Sequence, residues 1–436
     1  MTLTTAPSPP AGGGPTPDTS EQRAAFGRLA LIVAAGVLAA LVTHTASTVA
    51  VVLAIVGMIM LHEFGHFITA KWAGMKVTEY FLGFGPRLWS FRRGETEYGI
   101  KAVPAGGYVK IVGMHNLDQV DPADEARTYR QASFPRRVLV VSAGSAMHFL
   151  IALVLMWAVI VFVGTPSATK VAVGGLSRID QGPTPAQQAG LRNGDIFVSV
   201  NGRRFTSSDA LRSYIQHRPG QALAVVVDRH GRTVPLTLTP VDEREVTESG
   251  QHLLPPNAPA TGLIGVVLST PLEKANPLVG TWDAVNQLGH YVWTVLGALG
   301  QVFSPHGLAN YGHQLSGHVA TGPGASTANG DRFISPVGIV RLASDAAQSG
   351  LLTVLELLIA INVFVGVFNM VPLLPLDGGH VAIAVYERIR SRRGKRYFVD
   401  VRRLMPATYA VMVLILFLGV TSLYLDITHP IPNPFQ

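Results

Sequence analysis

The chain has no cysteine, and only 14% of its 436 residues are charged. Without thiols there can be no disulfide, thiolate metal site or cysteine nucleophile, so any metal ligand must be His, Asp or Glu. That absence is compatible with either side of a membrane. The scarcity of charge, with a mean hydropathy of +0.32, argues against an ordinary soluble domain and for several membrane spans. The formal net charge of +7 would suit nucleic acid, but the basic residues sit in loops beside apolar segments. There they report membrane orientation, so the expected partner is the lipid bilayer and not nucleic acid.

Against this apolar background one stretch stands out, MIMLHEFGHFITAKWAGM at 58–75. It places His62, Glu63 and His66 in a helix-length apolar run. Two histidines four residues apart lie one helical turn apart on one face, where both imidazoles reach a single metal ion. Glu63 is positioned to take a proton from water at that metal. Ionisable groups inside a hydrophobic segment are costly to bury, and that cost points to function.

The rest of the chain arranges itself around this run. Residues 1–25, rich in Pro, Gly, Thr and Ala, read as a disordered tail with no signal-peptide pattern. Residues 26–72 hold two spans separated by the small polar break 44–48, the second carrying the His-Glu-His run near its C-terminal end. Residues 73–137 form a loop with a β-hairpin over 97–114, its turn at Pro104-Ala105-Gly106-Gly107. Its edge, Gly106, Gly107, Tyr108 and Val109, is a candidate strand for pairing with an extended substrate. The segment 138–164 is a span opening with small residues at 142–146, which allow close helix approach; His148 within it reads as a packed or hydrogen-bonded histidine. Residues 165–245 read as a small α+β domain. Residues 246–350 read as linker, an amphipathic helix from Pro277 to Phe303 suited to a membrane interface, and a flexible loop holding His306, His313 and His318. Two further spans occupy 351–425, joined by a basic loop, and 426–436 is a tail.

The loops 71–137, with 11 Lys and Arg against 7 Asp and Glu, and 373–404, with 8 against 3, are expected in the cytoplasm. Five alternating spans agree with that placement and put the small domain outside. Catalytic zinc takes three protein ligands and keeps one open position. Asp377 is the best third ligand, at a glycine-rich turn on the same side of the membrane as His62 and His66. With Glu63 as general base, the fitting reaction is peptide-bond hydrolysis. Asn369 offers an amide to hold substrate backbone or an oxyanion, against the plainer reading of an interhelical hydrogen bond. The rival readings are a metal transporter and a catalytically idle membrane scaffold or metal-binding protein. No internal repeat supports the former, and an intact Glu63 speaks against the latter.

The motifs HEFGH (62–66), FGP (84–86), PAGGYVKI (104–111) and NMVPLLPLDGGH (369–380) make the chain resemble the site-2 proteases, zinc metalloproteases that cut within the membrane. The segment AGLRNGDIFVSVNG (189–202) resembles part of a PDZ domain, inserted as in the bacterial regulator-of-sigma-factor proteases. The resemblance implies one zinc ion at His62, His66 and Asp377, with Glu63 catalytic. It implies a polytopic α-helical protein of the bacterial inner membrane with an extracytoplasmic PDZ-like domain acting as a size filter. A membrane-anchored anti-sigma factor is the implied substrate, cut in regulated intramembrane proteolysis. Two departures are visible: His148 stands where the family has an Asn, and the span Phe26–Val42 is additional to the four-span core.

Overall fold

The computed structural model describes residues 19–431 and 433, except 44, 115–117, 178, 180, 181, 249, 250, 256, 317–332 and 392–396. Most of the expected N-terminal tail, His44 and His318 lie outside the described residues. Two compact units are present, Met1–Met156 with Ala284–Gln436, and Trp157–Asp283.

Four helices among the described residues are long and apolar enough to cross a membrane: Ala46–Trp72, Phe134–Val163, Leu351–Asn369 and Arg402–Thr428. Each matches an expected span and exceeds or approaches the roughly 20 residues that cross a bilayer core. The fifth expected span falls in the helix Thr19–Val42; the Phe26 ring there lies 6.1 Å from Trp89. Met412, Val413, Leu416, Phe417 and Val420 on the last helix are exposed, an arrangement suited to lipid rather than water. Val51, Met58, Ala343 and Leu358 form one buried cluster joining three helices.

The β region after the first histidine-bearing helix differs from the expected hairpin. Val77–Arg93 pairs with Thr96–Ile111 about a turn at Gly94-Glu95, and 104–107 lies inside the second strand. Tyr80 pairs with Val109 on one side and Tyr98 on the other. The segment 77–82 therefore threads between the two halves that were expected to pair with each other. Its physical cause is the run Val-Thr-Glu-Tyr-Phe-Leu, whose Val77 and Phe81 are fully buried. The segment 107–111 is left at an edge of the sheet.

The Gly94-Glu95 turn is pinned by charge. Glu95 accepts hydrogen bonds from both Arg127 Nη atoms, at 2.8 Å each, and from Lys71 Nζ at 2.7 Å. Arg127 and then Lys71 hold its carboxyl down at about 2. A depressed carboxylate stabilises the fold fully above its ordinary value near 4.5, and this contribution is lost as pH falls toward 2. Amides of 96–101 are therefore expected to exchange with deuterium faster, after intrinsic correction, at pH about 3 than at pH about 6. Glu95→Gln should remove that difference; equal protection of the wild type at both pH values would refute the pin.

Three further segments depart from expectation. Pro305–Leu315, expected as flexible loop, and Pro336–Ser349 are helices, each begun by a serine–proline pair whose serine hydroxyl caps the first turn. That is a start signal the periodicity alone does not carry. The basic loop after Pro375 is largely the helix Asp377–Arg390. Its Gly378-Gly379 pair reads as a turn in sequence but sits in the first helical turn. Added Cβ atoms would fall 2.2 Å from the Met370 carbonyl oxygen and 2.6 Å from the Leu374 nitrogen. Glycine is what lets the proline-broken bend pack onto this helix.

The second unit holds a five-stranded antiparallel sheet in the order Val266–Ser269, Val171–Leu176, Ile196–Val200, Leu223–Arg229, Arg232–Leu238. Its core gathers Val171, Phe197, Leu211, Leu223 and Leu238. The short helix Pro185–Gln188 opens on a capping box from Thr184, and Ser208–Gln216 buries Leu211 and Ile215 on one face. The α+β expectation for 165–245 agrees with this, but one edge strand comes from 266–269, in the segment expected as linker.

Candidate metal centre

Helix Ala46–Trp72 presents His62 and His66, 7% and 6% exposed, one turn apart. Asp377, the first residue of its own helix, meets them from more than 300 positions away in sequence. His62 Nε2 lies 3.2 Å from His66 Nε2 and 3.4 Å from Asp377 Oδ2, and His66 Nε2 lies 3.3 Å from the same oxygen. Bonds of about 2.0–2.1 Å in a tetrahedron separate ligand atoms by about 3.3–3.4 Å, so the three donors are spaced for one zinc ion. Among the described residues this is the group of His, Asp and Glu able to hold a metal. Asp377 Oδ2 is buried without a hydrogen-bond donor among the described residues, a costly state for a carboxylate that a cation would relieve.

The surroundings prepare the donors. His66 Nδ1 donates to the Val140 carbonyl oxygen at 2.7 Å, which fixes the tautomer and leaves Nε2 as a lone pair toward the cluster. The helix containing Val140 approaches because Gly65 and Gly144 carry no side chains. A Cβ on Gly65 would meet the Ala143 carbonyl oxygen at 2.5 Å, and one on Gly144 would meet His66 Nε2 at 2.4 Å and His62 Cε1 at 2.5 Å. The small-residue run at 142–146 thus does more than pack helices: Gly144 forms a wall of the site.

Asp377 is steadied through its helix. Glu387 on that helix accepts from Arg137 Nη1 at 2.6 Å and from the Val399 N–H at 2.8 Å. The pair is nearly buried, with side chains 12% and 4% exposed. Neither residue was singled out from sequence, because 250 positions separate them and each reads alone as a loop charge.

Of the remaining expected site residues, Glu63 faces the sheet. A Cβ on Gly107 would lie 3.0 Å from Glu63 Cγ and 2.9 Å from Met60 Sδ. The Tyr80 hydroxyl donates to the Met60 carbonyl oxygen at 2.8 Å, so the sheet is fastened to this helix. Gly107, Tyr108 and Val109 therefore form an edge strand beside Glu63, and Gly106, at φ +155, precedes it. Asn369 ends the helix Leu351–Asn369, half-buried, and its neighbour Met370 packs on Gly378; its amide makes no hydrogen bond among the described residues. His148 is hydrogen-bonded, as expected: its Nδ1 donates to Asn362 Oδ1 at 2.8 Å. In sequence Asn362 is only a polar residue interrupting the apolar run 351–369. His306 and His313, on the helix Pro305–Leu315, take no part in the cluster.

Three buried donors spaced for a tetrahedral ion, an adjoining glutamate and a set of spanning helices define a membrane-embedded zinc peptidase. The chain belongs to Peptidase family M50, which it matches over residues 50–416. It is 34% identical over 415 residues to the zinc metalloprotease Rip1 of Mycobacterium tuberculosis, covering 87% of this chain and 96% of the relative. It is 31% identical to the Rip1 of Mycolicibacterium smegmatis over 414 residues, with the same coverage. A putative zinc metalloprotease of Clostridium perfringens is 27% identical over 357 residues, 82% of this chain and 89% of that protein. The protein is an intramembrane zinc metalloprotease of the site-2 type.

Proposed function

We propose that the chain cuts a peptide bond in or near the transmembrane segment of a membrane-anchored regulator, with an anti-sigma factor as the substrate class. It does so in the bacterial inner membrane, as a step of regulated intramembrane proteolysis. The supporting observation is the convergence of His62, His66 and Asp377 at 3.2–3.4 Å beside Glu63. In this reading the three residues hold one zinc ion. Zinc held there supplies a Lewis acid that acidifies water and polarises the scissile carbonyl. Glu63 takes the proton of the attacking water on its carboxylate and passes it to the leaving amine nitrogen.

A substrate helix hides its carbonyls in its own hydrogen bonds, so it must be unwound before attack. The edge strand from Gly106 to Val109 supplies the replacement: backbone groups that pair with an extended chain beside Glu63. Asn369 holds substrate backbone or the developing oxyanion. The unit around 165–245 is PDZ-like, stands on the extracytoplasmic side and filters substrates by the size of their outer portion.

The test is cleavage in proteoliposomes of a single-span anti-sigma factor, offered with its full outer domain and with that domain trimmed to a short stub. Cleavage of the trimmed form alone is expected. Failure to cut either form would refute the substrate class, and equal cutting of both would refute the filter.

A further inference from the structure

The two histidines of the cluster are not supported alike. His66 has the usual backing, a hydrogen bond from its distal nitrogen to a carbonyl. His62 has no such bond of ordinary geometry among the described residues, only the Gly144 backbone beside its ring. A metal-ligating imidazole nearly always has its second nitrogen engaged, because that bond sets the ring's orientation. Something else must orient His62.

The geometry points to His148 as the residue that positions His62, through ring packing in place of a hydrogen bond. This rests on the reading of His62, His66 and Asp377 as the zinc ligands. The His148 ring lies 5.0 Å from the His62 ring, inclined at 41°, while His66 meets His62 edge-on at 4.8 Å. His62 is thus packed by two imidazoles, with the Gly144 backbone against its edge.

A packing wall orients a neighbour only if it is itself immobile, and His148 is. It is 2% exposed, and its Nδ1–H donates to Asn362 Oδ1. Asn362, fully buried, is fixed in turn: its amide nitrogen donates to the Leu358 carbonyl oxygen at 2.7 Å and to Met58 Sδ. Asn362 therefore cannot flip its amide without losing both donations, and its oxygen stays on His148. Gly366, one turn further along, admits this approach; a Cβ there would fall 3.0 Å from Phe149 Cε1 and 3.3 Å from His148 Cβ. Two further spans thus back His62, Asn362 holding His148 and His148 packing on the ring. The polar residue at 148, a histidine where the family resemblance leads one to expect asparagine, and the interruption at Asn362 acquire one joint role.

The experiment uses full-length protein in detergent and measures zinc affinity by chelator competition, together with the visible absorption of the cobalt-substituted form. Outer-shell losses typically weaken metal binding about 10- to 100-fold. His148→Ala is expected to weaken zinc by that factor and to shift the cobalt bands. Asn362→Leu, which keeps the γ-branched shape but frees the His148 ring, should move both readouts in the same direction. The double variant should be no weaker than His148→Ala, because Asn362 acts only through His148. If His148→Ala does not yield folded protein, Asn362→Leu decides alone. His66→Ala is the control for the ligand reading and should lose the metal outright; retention there would overturn that reading. With the metal lost in His66→Ala, wild-type zinc affinity and unchanged cobalt bands in the other variants would overturn the role of His148. A loss of thermal stability with both metal readouts unmoved would overturn it as well, leaving the pair merely structural.

Discussion

Glu63→Gln should reduce cleavage of a co-expressed membrane substrate by about 10²- to 10⁴-fold while leaving the zinc content at the wild-type level. The magnitude is that of a removed general acid–base group. Retention of metal follows from geometry, since the cluster is made by His62, His66 and Asp377 and Glu63 contributes no donor to it. Glutamine matches glutamate in shape, so the contact between Glu63 Cγ and the strand at Gly107 survives and the sheet stays seated. The change therefore isolates the proton acceptor from both the metal and the substrate-pairing edge. Cleavage at the wild-type rate would mean that another group takes the proton. Loss of zinc along with activity would mean that Glu63 belongs to the ligand set.

Gly144→Ala is expected to have the second large effect, and by a different route. Its methyl group would stand 2.4 Å from one ligating nitrogen and 2.5 Å from the other ring. Neither ring has room to yield, because His66 is tied to Val140 and His62 is packed by His66 and His148. Overpacking of this kind costs about 1–3 kcal/mol. If it falls on the metal-binding geometry, zinc binds about 10- to 100-fold more weakly, at about 1.4 kcal/mol per tenfold. Gly57→Ala, in the histidine-bearing helix but with no neighbour within 4 Å of the added carbon, is the matched control and should bind zinc normally. Equal affinities for the two variants would show that the helix at Gly144 does not wall the site.

The difference between these glycines marks what sequence can convey. The clustered pair His62 and His66 is legible because four-residue spacing is a local property of a helix. Asp377 is legible because topology returns the chain to the same side of the membrane beside a proline-broken span. Four of the five expected spans are legible from length and hydropathy and have helices able to cross a membrane, while the first falls in the helix Thr19–Val42. What was not legible depends on partners far away in sequence. The strand 77–82 intervenes between two segments that look like a hairpin because pairing order is a tertiary matter. The helices at Pro305 and Pro336 were not read from the sequence, though their Ser-Pro starts were present. Asn362 and the Arg137–Glu387 pair have meaning only once three helices are assembled. His148 shows the middle case: its burial and hydrogen bond were expected, while the face it turns to His62 was not.

The most direct test is X-ray absorption at the zinc edge of the purified full-length protein, with Glu63→Gln used to hold the enzyme in an uncleaving state. The expected spectrum has four nitrogen and oxygen donors at about 2.0–2.2 Å, with outer-shell scattering from two imidazoles, and His66→Ala should lose the metal. A shell of three imidazoles would bring His148 in as a ligand and displace Asp377. A shell with one imidazole or none would contradict the centre built from His62, His66 and Asp377.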